Sequence, residues 1–486
     1  MSTKAKNNHI IDKIMERFDL HIDANEATYV SDKTQGNLKV HPLYSRNCTA
    51  LIRNYFRSLD IRLTRDNLKE LLSEIEAEAL FSNNNLIQPR NRVAIDGDRL
   101  VLDCGDDNNS RIVFQDGKYS VETSGIDVPF LALASTQALC LPDDILVIDE
   151  FYNFLNFSFD DSLLALSWVT FIMSHPKSDN VSYPILVIKA QQGSGKTSLC
   201  KVLRKIIDPR NVGVQKMPKN IESLSVMASA AHLLIFDNVR SFTLDMSDNL
   251  CLTSTGGSRS ARKLYTDNDE SVINLQVPVI LNGIHAFIGQ SDLAERCLTF
   301  NLQSIPSCKR RSEQELSQEL KNILPRMMAG IFELIAITLA KLPDAKVTSP
   351  ERMMDFSQWI AATELALPEC HTYCYRNVQI GDIQEHYSSN LKQASFDNLH
   401  ENEFSAAIIE FAENHKNWTG TPTNLFHALE SAFDDEYSKS QYYPKTPIAL
   451  SKKLKPLIIA LASQGVIVEF TRGTERKISI YLDDDD

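Results

Sequence analysis

Residues 190–198, with the sequence AQQGSGKTS, have the types and spacing of a phosphate-binding loop. Glycines are required where backbone N–H groups must approach phosphate oxygens or where φ must be positive, and Gly193 and Gly195 meet that requirement. Lys196 is then expected to contact the β- and γ-phosphates of a nucleotide, and Thr197 to place its hydroxyl on Mg²⁺. The structural alternative is a glycine-rich turn with an exposed lysine. The predicted nucleotide-binding residues are Ala190, Gln191, Gln192, Gly193, Ser194, Gly195, Lys196, Thr197 and Ser198.

Three polar residues further along the chain have the chemistry that such a loop needs. Asp237 follows the apolar residues LLIF and is expected to hold Mg²⁺ together with Thr197. Asn282 ends the apolar run VPVIL and could orient an attacking water, and Arg296 could stabilise charge at the γ-phosphate of a neighbouring subunit. Singly, each has an ordinary interpretation, as a strand terminus or a salt-bridged arginine. In this order after the loop, they predict an ATPase site that uses ATP and Mg²⁺.

The chain around these residues is predicted to alternate between strands and helices. The segment YPILVIK is typical of a buried strand and GKTSLCKVLRKII of a helix, so the region from Tyr183 is predicted to be a parallel α/β sheet. Residues 1 to about 90 are predicted to be helical, and residues 92 to about 133 to form short strands. Asp96–Asp98, DGD, is interpreted as a hairpin turn, with a metal-binding carboxylate pair as the alternative. A helical region is predicted before the sheet and another after it.

Composition and charge limit the class of protein. The chain has 486 residues, enough for two to four domains, and is 43% hydrophobic and 23% charged, as in globular proteins. Its net charge of −13 argues against a protein that coats nucleic acid over its whole surface. Nine scattered cysteines suit reduced thiols, and the ECHTYC cluster lacks a fourth zinc ligand. The apolar run Ser162–Ser174 is too short to span a bilayer, so a cytoplasmic protein is expected.

Five segments in order, AQQGSGKTS, LLIFDNV, TSTGGSRSARKLYTDNDE, VPVILNGI and DLAERCLTFNL, resemble the superfamily three helicases of the AAA+ class. The likeness is greatest to the helicase part of poxvirus-type, phage and plasmid primase-helicases and to mobile-element ATP-binding proteins. It is strong over residues 183–306 and weaker elsewhere. The resemblance implies a ring, commonly a hexamer, that threads single-stranded DNA through its pore. It implies that Lys196 belongs to Walker A, Asp237 to Walker B, Asn282 to the sensor, and Arg296 to the arginine finger.

The same resemblance places a pore hairpin at GGSRSARKLY, which makes Arg259, Arg262 and Lys263 candidate DNA contacts. A basic loop beside Tyr265 also suits a channel that tracks a phosphate backbone, although an ordinary solvated loop is the alternative.

Two residues depart from the family pattern. Ala190 replaces the first loop glycine, which turns the chain without touching phosphate. Asn238 stands where hydrolytic members usually have a second acid beside the magnesium aspartate, so the general base is open. Either Asp237 serves both roles or hydrolysis is slow. The predicted catalytic residues are Lys196, Asp237, Asn238, Asn282 and Arg296.

The C-terminal segment resembles a winged helix. Between residues 438 and 482 it carries eight basic residues and two acidic ones, which favours phosphate contact over a merely solvated helix. The candidate DNA contacts here are Lys452, Lys453, Arg472 and Arg476.

The sequence therefore predicts an AAA+ P-loop ATPase core with an N-terminal α+β module, helical regions and a C-terminal winged-helix-like domain. Its predicted function is an ATP-dependent DNA helicase in replication of a phage, plasmid or integrated mobile element, acting as a homo-oligomeric ring on single-stranded or forked DNA, with a primase or replication protein as a further partner. The alternatives are an ATPase of antiviral defence or mobile-element control, and a scaffold that uses ATP only to assemble. The predicted segments are residues 1–134, 135–182, 183–306, 307–437 and 438–486.

Overall fold

The fold is that of a computed structural model, which describes residues 11–82, 86–177, 180–191, 193–262, 270–283, 288, 290–306, 308, 310–371, 377–401, 403–430, 444–462, 464–472 and 476–483. Side chains within both strands of the hairpin at 258–274, and that of Arg472, lie outside the description.

The N-terminal part contains two four-stranded sheets, with strand orders β1-β2-β3-β8 and β4-β5-β6-β7. Its elements are β1 (Phe18–Ile22), β2 (Thr28–Asp32), β3 (Lys39–Pro42), α1 (Arg46–Ser58), α2 (Arg65–Phe81), β4 (Val93–Asp96), β5 (Arg99–Asp103), β6 (Arg111–Gln115), β7 (Lys118–Glu122) and β8 (Phe130–Leu131).

The helical prediction for residues 1 to about 90 is wrong over residues 18–42, where β1, β2 and β3 lie. These strands have only four or five residues, and some of their buried positions are polar. His21 is hydrogen-bonded to Ser31 (Nε2 to Oγ, 2.8 Å), and Asp32 forms an ion pair with Arg17 at 2.8 Å. Because partners on other segments compensate these polar groups, polar side chains can occupy buried positions in the strands. The strands therefore lack the alternation of apolar and polar residues from which a strand is predicted.

The strands predicted between residues 92 and 133 are confirmed by β4 to β7. Asp96–Asp98 joins β4 to β5 as a hairpin turn in which Gly97 has a positive φ of 64°. Asp96 forms an ion pair with Arg99 at the start of β5. The carboxylates of this turn therefore have structural partners, as the turn interpretation predicts.

The central part is built on a parallel four-stranded sheet with strand order β10-β13-β9-β14. Every residue of β9 and β13 is buried, because helices and other strands cover both faces of such a sheet. The elements are α3 (Asp149–Phe154), α4 (Phe159–Ser174), β9 (Ile185–Ala190), α5 (Lys196–Ile207), α6 (Ile221–Ala230), β10 (Leu234–Val239), α7 (Leu244–Thr255), β11 (Ser258–Arg262), β12 (Glu270–Asn274), β13 (Val279–Gly283), α8 (Ser291–Ala294) and β14 (Cys297–Leu302).

The C-terminal part is mainly helical and ends in a small antiparallel sheet. Two strands, β16 and β17, follow its last helix, and β15 completes the sheet in the order β15-β17-β16. The elements are α9 (Glu313–Lys341), α10 (Met354–Ala366), α11 (Asp382–Glu401), α12 (Glu403–His415), β15 (Asn417–Gly420), α13 (Pro422–Leu429), α14 (Pro447–Leu454), α15 (Ile458–Ala462), β16 (Val466–Arg472) and β17 (Arg476–Leu482).

The long helix α9 joins the parts of the molecule. Phe332 on this helix packs edge-on against Phe114 and Tyr119 of the β4–β7 sheet, with ring centroids 5.8 and 5.6 Å away. Among the described helices, residues 313–344 alone are long and apolar enough to cross a bilayer, and 61% of that apolar stretch is buried by protein. Packing against the rest of the chain thus accounts for its apolar character.

The ECHTYC cluster has ordinary protein partners where it is described. Cys370 is buried and its thiol donates to the Ala366 carbonyl at 3.4 Å, while His371 pairs with Glu333. Cys374 lies outside the described residues.

Candidate nucleotide-binding site

The predicted phosphate-binding loop connects β9 to α5. Gly193 and Gly195 both have φ of 83°, a left-handed conformation that glycine adopts without strain, and Gly195 is the N-cap of α5. Ala190 is the last residue of β9 and lies in extended backbone, so a glycine is not required there. The departure at Ala190 therefore leaves the turn intact. Gln192 lies outside the described residues.

Lys196 is held against its own loop. Its Nζ donates to the carbonyl oxygens of Ala190 at 2.6 Å and Gln191 at 2.9 Å. Partial burial lowers the pKa of Lys196 below its ordinary value, and the nearby Asp237 carboxylate acts in the opposite direction. The ammonium group is therefore fixed at the mouth of the loop by acceptors that a phosphate could replace.

Thr197 and Asp237 come together although they are 40 residues apart. The Thr197 hydroxyl donates to Asp237 Oδ2 at 3.1 Å. Asp237 lies near the carboxyl end of β10, and its backbone N–H donates to the Gln215 carbonyl at 2.8 Å. A hydroxyl and a carboxylate are oxygen ligands of the kind that Mg²⁺ prefers. The predicted metal pair thus has the chemistry and the proximity that a magnesium ion requires.

Asn238 is exposed, next to Asp237, and its φ of 56° lies in the left-handed region. The pairing of β10 with β13 shifts register between Phe236 and Val239, so the backbone is irregular at this position. Asn is among the few residues other than glycine that tolerate this conformation. The left-handed backbone therefore limits this position to a few residue types, Asn and Asp among them.

Asn282 is fully buried in β13, opposite Ile188 of β9. Its amide Nδ2 lies 3.7 Å from the Cys200 sulfur on α5, and its Oδ1 has no hydrogen-bond partner among the described residues. Burial raises the pKa of Cys200 to about 12, so the thiol stays protonated at neutral pH. Within the described part of the chain, this buried amide oxygen is therefore an available hydrogen-bond acceptor next to α5.

Arg296 and the phosphate-binding loop lie at opposite ends of strand β9. Its carbonyl accepts from the Ile185 N–H at the start of β9, whereas the loop follows Ala190 at the other end. At about 3.3 Å per strand residue, roughly 16 Å separates the two ends. The Arg296 guanidinium pairs with Asp292 at 3.2 Å, and Arg352 pairs with the same carboxylate at 2.6 Å. Within one chain Arg296 is a salt-bridged arginine, remote from the phosphate-binding loop.

The predicted pore segment forms the antiparallel hairpin β11–β12. Arg259 and Arg262 lie in β11 with side chains outside the description, and Lys263 is wholly outside the described residues. Their DNA contacts stay predictions.

The predicted C-terminal DNA contacts lie on two elements. Lys452 is exposed on α14, and the neighbouring Lys453 ammonium lies 4.9 Å from the centre of the Phe404 ring. Arg472 and the exposed Arg476 are opposite each other in the register of strands β16 and β17. These contacts with DNA also stay predictions.

A cavity of about 600 Å³ adjoins the loop and is lined by Gly193, Ser194 and Gly195, whereas Lys196, Thr197 and Asp237 do not line it. Its walls are mostly apolar and come from the end of α3, from α5, from residues between 209 and 214, from the end of β14 and the residues after it, and from the start of α9. The main contributors are Phe154, Leu155, Val202, Leu302, Ile305 and Arg310. Apart from the loop, the residues that line this cavity belong to none of the motifs found in the sequence. The only sequence signal was the basic run KRR at 309–311, just before the capping box Ser312–Glu315 of α9.

Two family models match the chain. Residues 148–385 match the actinomycete integrative conjugative element replication protein, and residues 404–485 match the C-terminal domain of the same protein, RepA. No curated protein sequence matches the chain.

Three solved structures illustrate the range of structural similarity. The SCCmec type IV Cch helicase is 11% identical, with a TM-score of 0.51 over 96% of this chain and 92% of that one. The NrS-1 C-terminal region is 11% identical, with a TM-score of 0.40 over 97% of this chain and 98% of its own. JCV helicase is 13% identical, with a TM-score of 0.20 over 50% of this chain and 72% of its own. At these identities, the Cch match concerns the fold alone.

The chain is thus similar over both matched segments to the replication protein of actinomycete integrative conjugative elements, and it has a helicase-like α/β fold.

Proposed function

We propose that the chain is an ATP-dependent DNA helicase of the superfamily three type, a ring-forming AAA+ motor with a C-terminal winged helix, that translocates on single-stranded DNA. The similarity to a conjugative-element replication protein favours replication of an integrated mobile element, in the cytoplasm of its host. The contact that carries the proposal is the hydrogen bond from Thr197 to Asp237 beside the two left-handed loop glycines.

The described residues fit ATP and Mg²⁺. Gly193 and Gly195 leave the loop backbone free of side chains, and Lys196 presents an ammonium at its mouth. Thr197 and Asp237 would hold Mg²⁺, which, when bound, would neutralise charge on the phosphates. Oδ1 of Asn282, which has no hydrogen-bond partner in the described part of the chain, could accept from an attacking water and so orient it. Asp237, whose carboxylate accepts from Thr197, could also serve as a base.

Lys196→Ala tests the proposed site in the full chain. Loss of the ammonium should lower ATP hydrolysis by at least about hundredfold and abolish strand displacement from a forked duplex, because transition-state charge loses its partner. Lys219→Ala, which removes an exposed lysine before α6, is the matched control and should behave as the wild type. Unchanged unwinding by the Lys196 variant would disprove the site.

Asn238 favours one second candidate, a scaffold that binds ATP to assemble on DNA and hydrolyses it slowly. The residue supplies no second carboxylate beside Asp237. Size measurement with ATP and single-stranded DNA, followed by single-turnover hydrolysis and strand displacement, separates the two candidates. Assembly without displacement would select the scaffold, whereas displacement coupled to turnover would select the helicase.

A further inference from the structure

The segment after β14 returns across the phosphate-binding loop and brings Arg310 onto Gly193. A Cβ built on Gly193 would lie 3.2 Å from Arg310 Nη2 and 3.7 Å from its Cζ. Ile305, from the same segment, approaches Gly195 in the same way, with its Cδ1 3.2 Å from a Cβ built there. The glycines that expose the loop backbone therefore expose it to a guanidinium of the same chain.

Arg310 has no carboxylate partner among the described residues. Its Nε donates to the Ile305 carbonyl at 3.2 Å, which orients the planar group and leaves both terminal nitrogens available. Neighbouring cations are neutralised: Arg311 pairs with Glu319, and Lys201 pairs with Glu313 at 2.8 Å. Among these three, Arg310 alone keeps an uncompensated charge beside the loop.

A guanidinium without a counter-ion is electrostatically unfavourable at this position. The loop and the first turn of α5 present backbone N–H groups, whose partial positive charges repel another cation. An anion between them reverses the sign of the interaction, since it attracts both the N–H groups and the guanidinium. Arginine, with its planar set of donors, is suited to bind two phosphate oxygens at once.

We propose that Arg310 is a second phosphate-binding cation of the nucleotide site, supplied by the same chain as Lys196. This inference rests on the proposed ATP site and deepens it. The ligand is the phosphate chain of a nucleoside di- or triphosphate, bound between the loop and Arg310. Arg296, at the far edge of the sheet, cannot provide this contact within one chain.

The test measures nucleotide affinity and thermal stability of the full chain, with MgATP and MgADP as probes. Arg310→Gln should weaken binding of both nucleotides by about ten- to hundredfold, the effect of a lost hydrogen bond to a charged group. Arg311→Gln, next to it but paired with Glu319, should have an effect at least about fivefold smaller. Arg310→Lys should restore part of the affinity.

Without nucleotide, Arg310→Gln should melt at the wild-type temperature or above it, because the substitution removes a repulsion. An equal affinity loss in the two glutamine variants would overturn the proposal, as would a lower melting temperature of nucleotide-free Arg310→Gln. If the wild type binds no nucleotide, the proposed function itself fails. If Lys196→Ala loses binding while Arg310→Gln keeps it, only the Arg310 inference fails.

Discussion

At the scale of single residues, Asn238 shows how backbone conformation selects a residue type beside a site. Its left-handed φ of 56° would strain most side chains, whereas Asn and Gly adopt this conformation readily. The geometry consequently explains why a β-branched or bulky side chain is disfavoured at this position, and it does not distinguish Asn from Asp.

Asn238→Ala should lower the free energy of unfolding by about 1 kcal/mol relative to Asn238→Gly, because a Cβ without a compensating polar group disfavours the left-handed region. Urea denaturation of the nucleotide-free chain measures both variants. Equal stability of the alanine and glycine variants would show that the backbone at Asn238 is not constrained as the structure indicates.

At the scale of elements, a buried ion pair joins the N-terminal part to the helix that follows the phosphate-binding loop. Arg92, just before β4, contacts Asp208, the C-cap of α5, at 3.2 Å, with both side chains nearly inaccessible to solvent. The other Asp208 oxygen accepts from the N–H groups of His232 and Leu233, which lead into β10. One carboxylate therefore fixes three elements around the site.

Arg92→Ala should lower the free energy of unfolding by about 3 kcal/mol, because it leaves part of a buried carboxylate uncompensated. Arg99→Ala, which breaks the more exposed pair with Asp96, should cost less than about 1 kcal/mol. Denaturant titrations of both variants at neutral pH compare these effects, and equal losses would contradict the role assigned to Arg92.

The same carboxylate predicts a pH dependence. Burial alone would raise the pKa of Asp208, but Arg92, Arg204 and His232 outweigh it, so the pKa lies below its ordinary value. Since the folded state loses this proton more readily than the unfolded state, the stabilisation is present above about pH 4 and disappears as the pH falls further. The difference in stability between wild type and Arg92→Ala should therefore narrow in acid, as denaturation at pH 3 and pH 7 would measure.

At the scale of the whole molecule, the position of Arg296 bears on assembly. It lies about 16 Å along the sheet from the loop of its own chain, so any contact with nucleotide must be made in another copy. A head-to-tail ring supplies such a copy at every interface.

If Arg296 acts on the nucleotide of a neighbouring subunit, each variant alone should be inactive, and mixing Lys196→Ala with Arg296→Ala should restore ATP hydrolysis. In an equimolar random ring about a quarter of the interfaces pair an intact lysine with an intact arginine, and activity should recover to that order. Fluorescence resonance energy transfer between labelled subunits measures whether the two variants exchange subunits. If the mixture exchanges subunits but stays inactive, Arg296 does not act on the nucleotide of a neighbouring subunit.

The sequence by itself determined the local features of the site: the glycines of the loop, the strand before it and the helix after it, because spacing and apolar pattern encode them over a few residues. It also indicated the strands that carry Asp237 and Asn282. Three features required the tertiary structure: the approach of Arg310 to Gly193, the position of Arg296 at the other end of β9 from the loop, and the strands β1 to β3. These features depend on contacts between segments distant in sequence, where buried polar pairs and strand register, rather than local periodicity, determine the conformation.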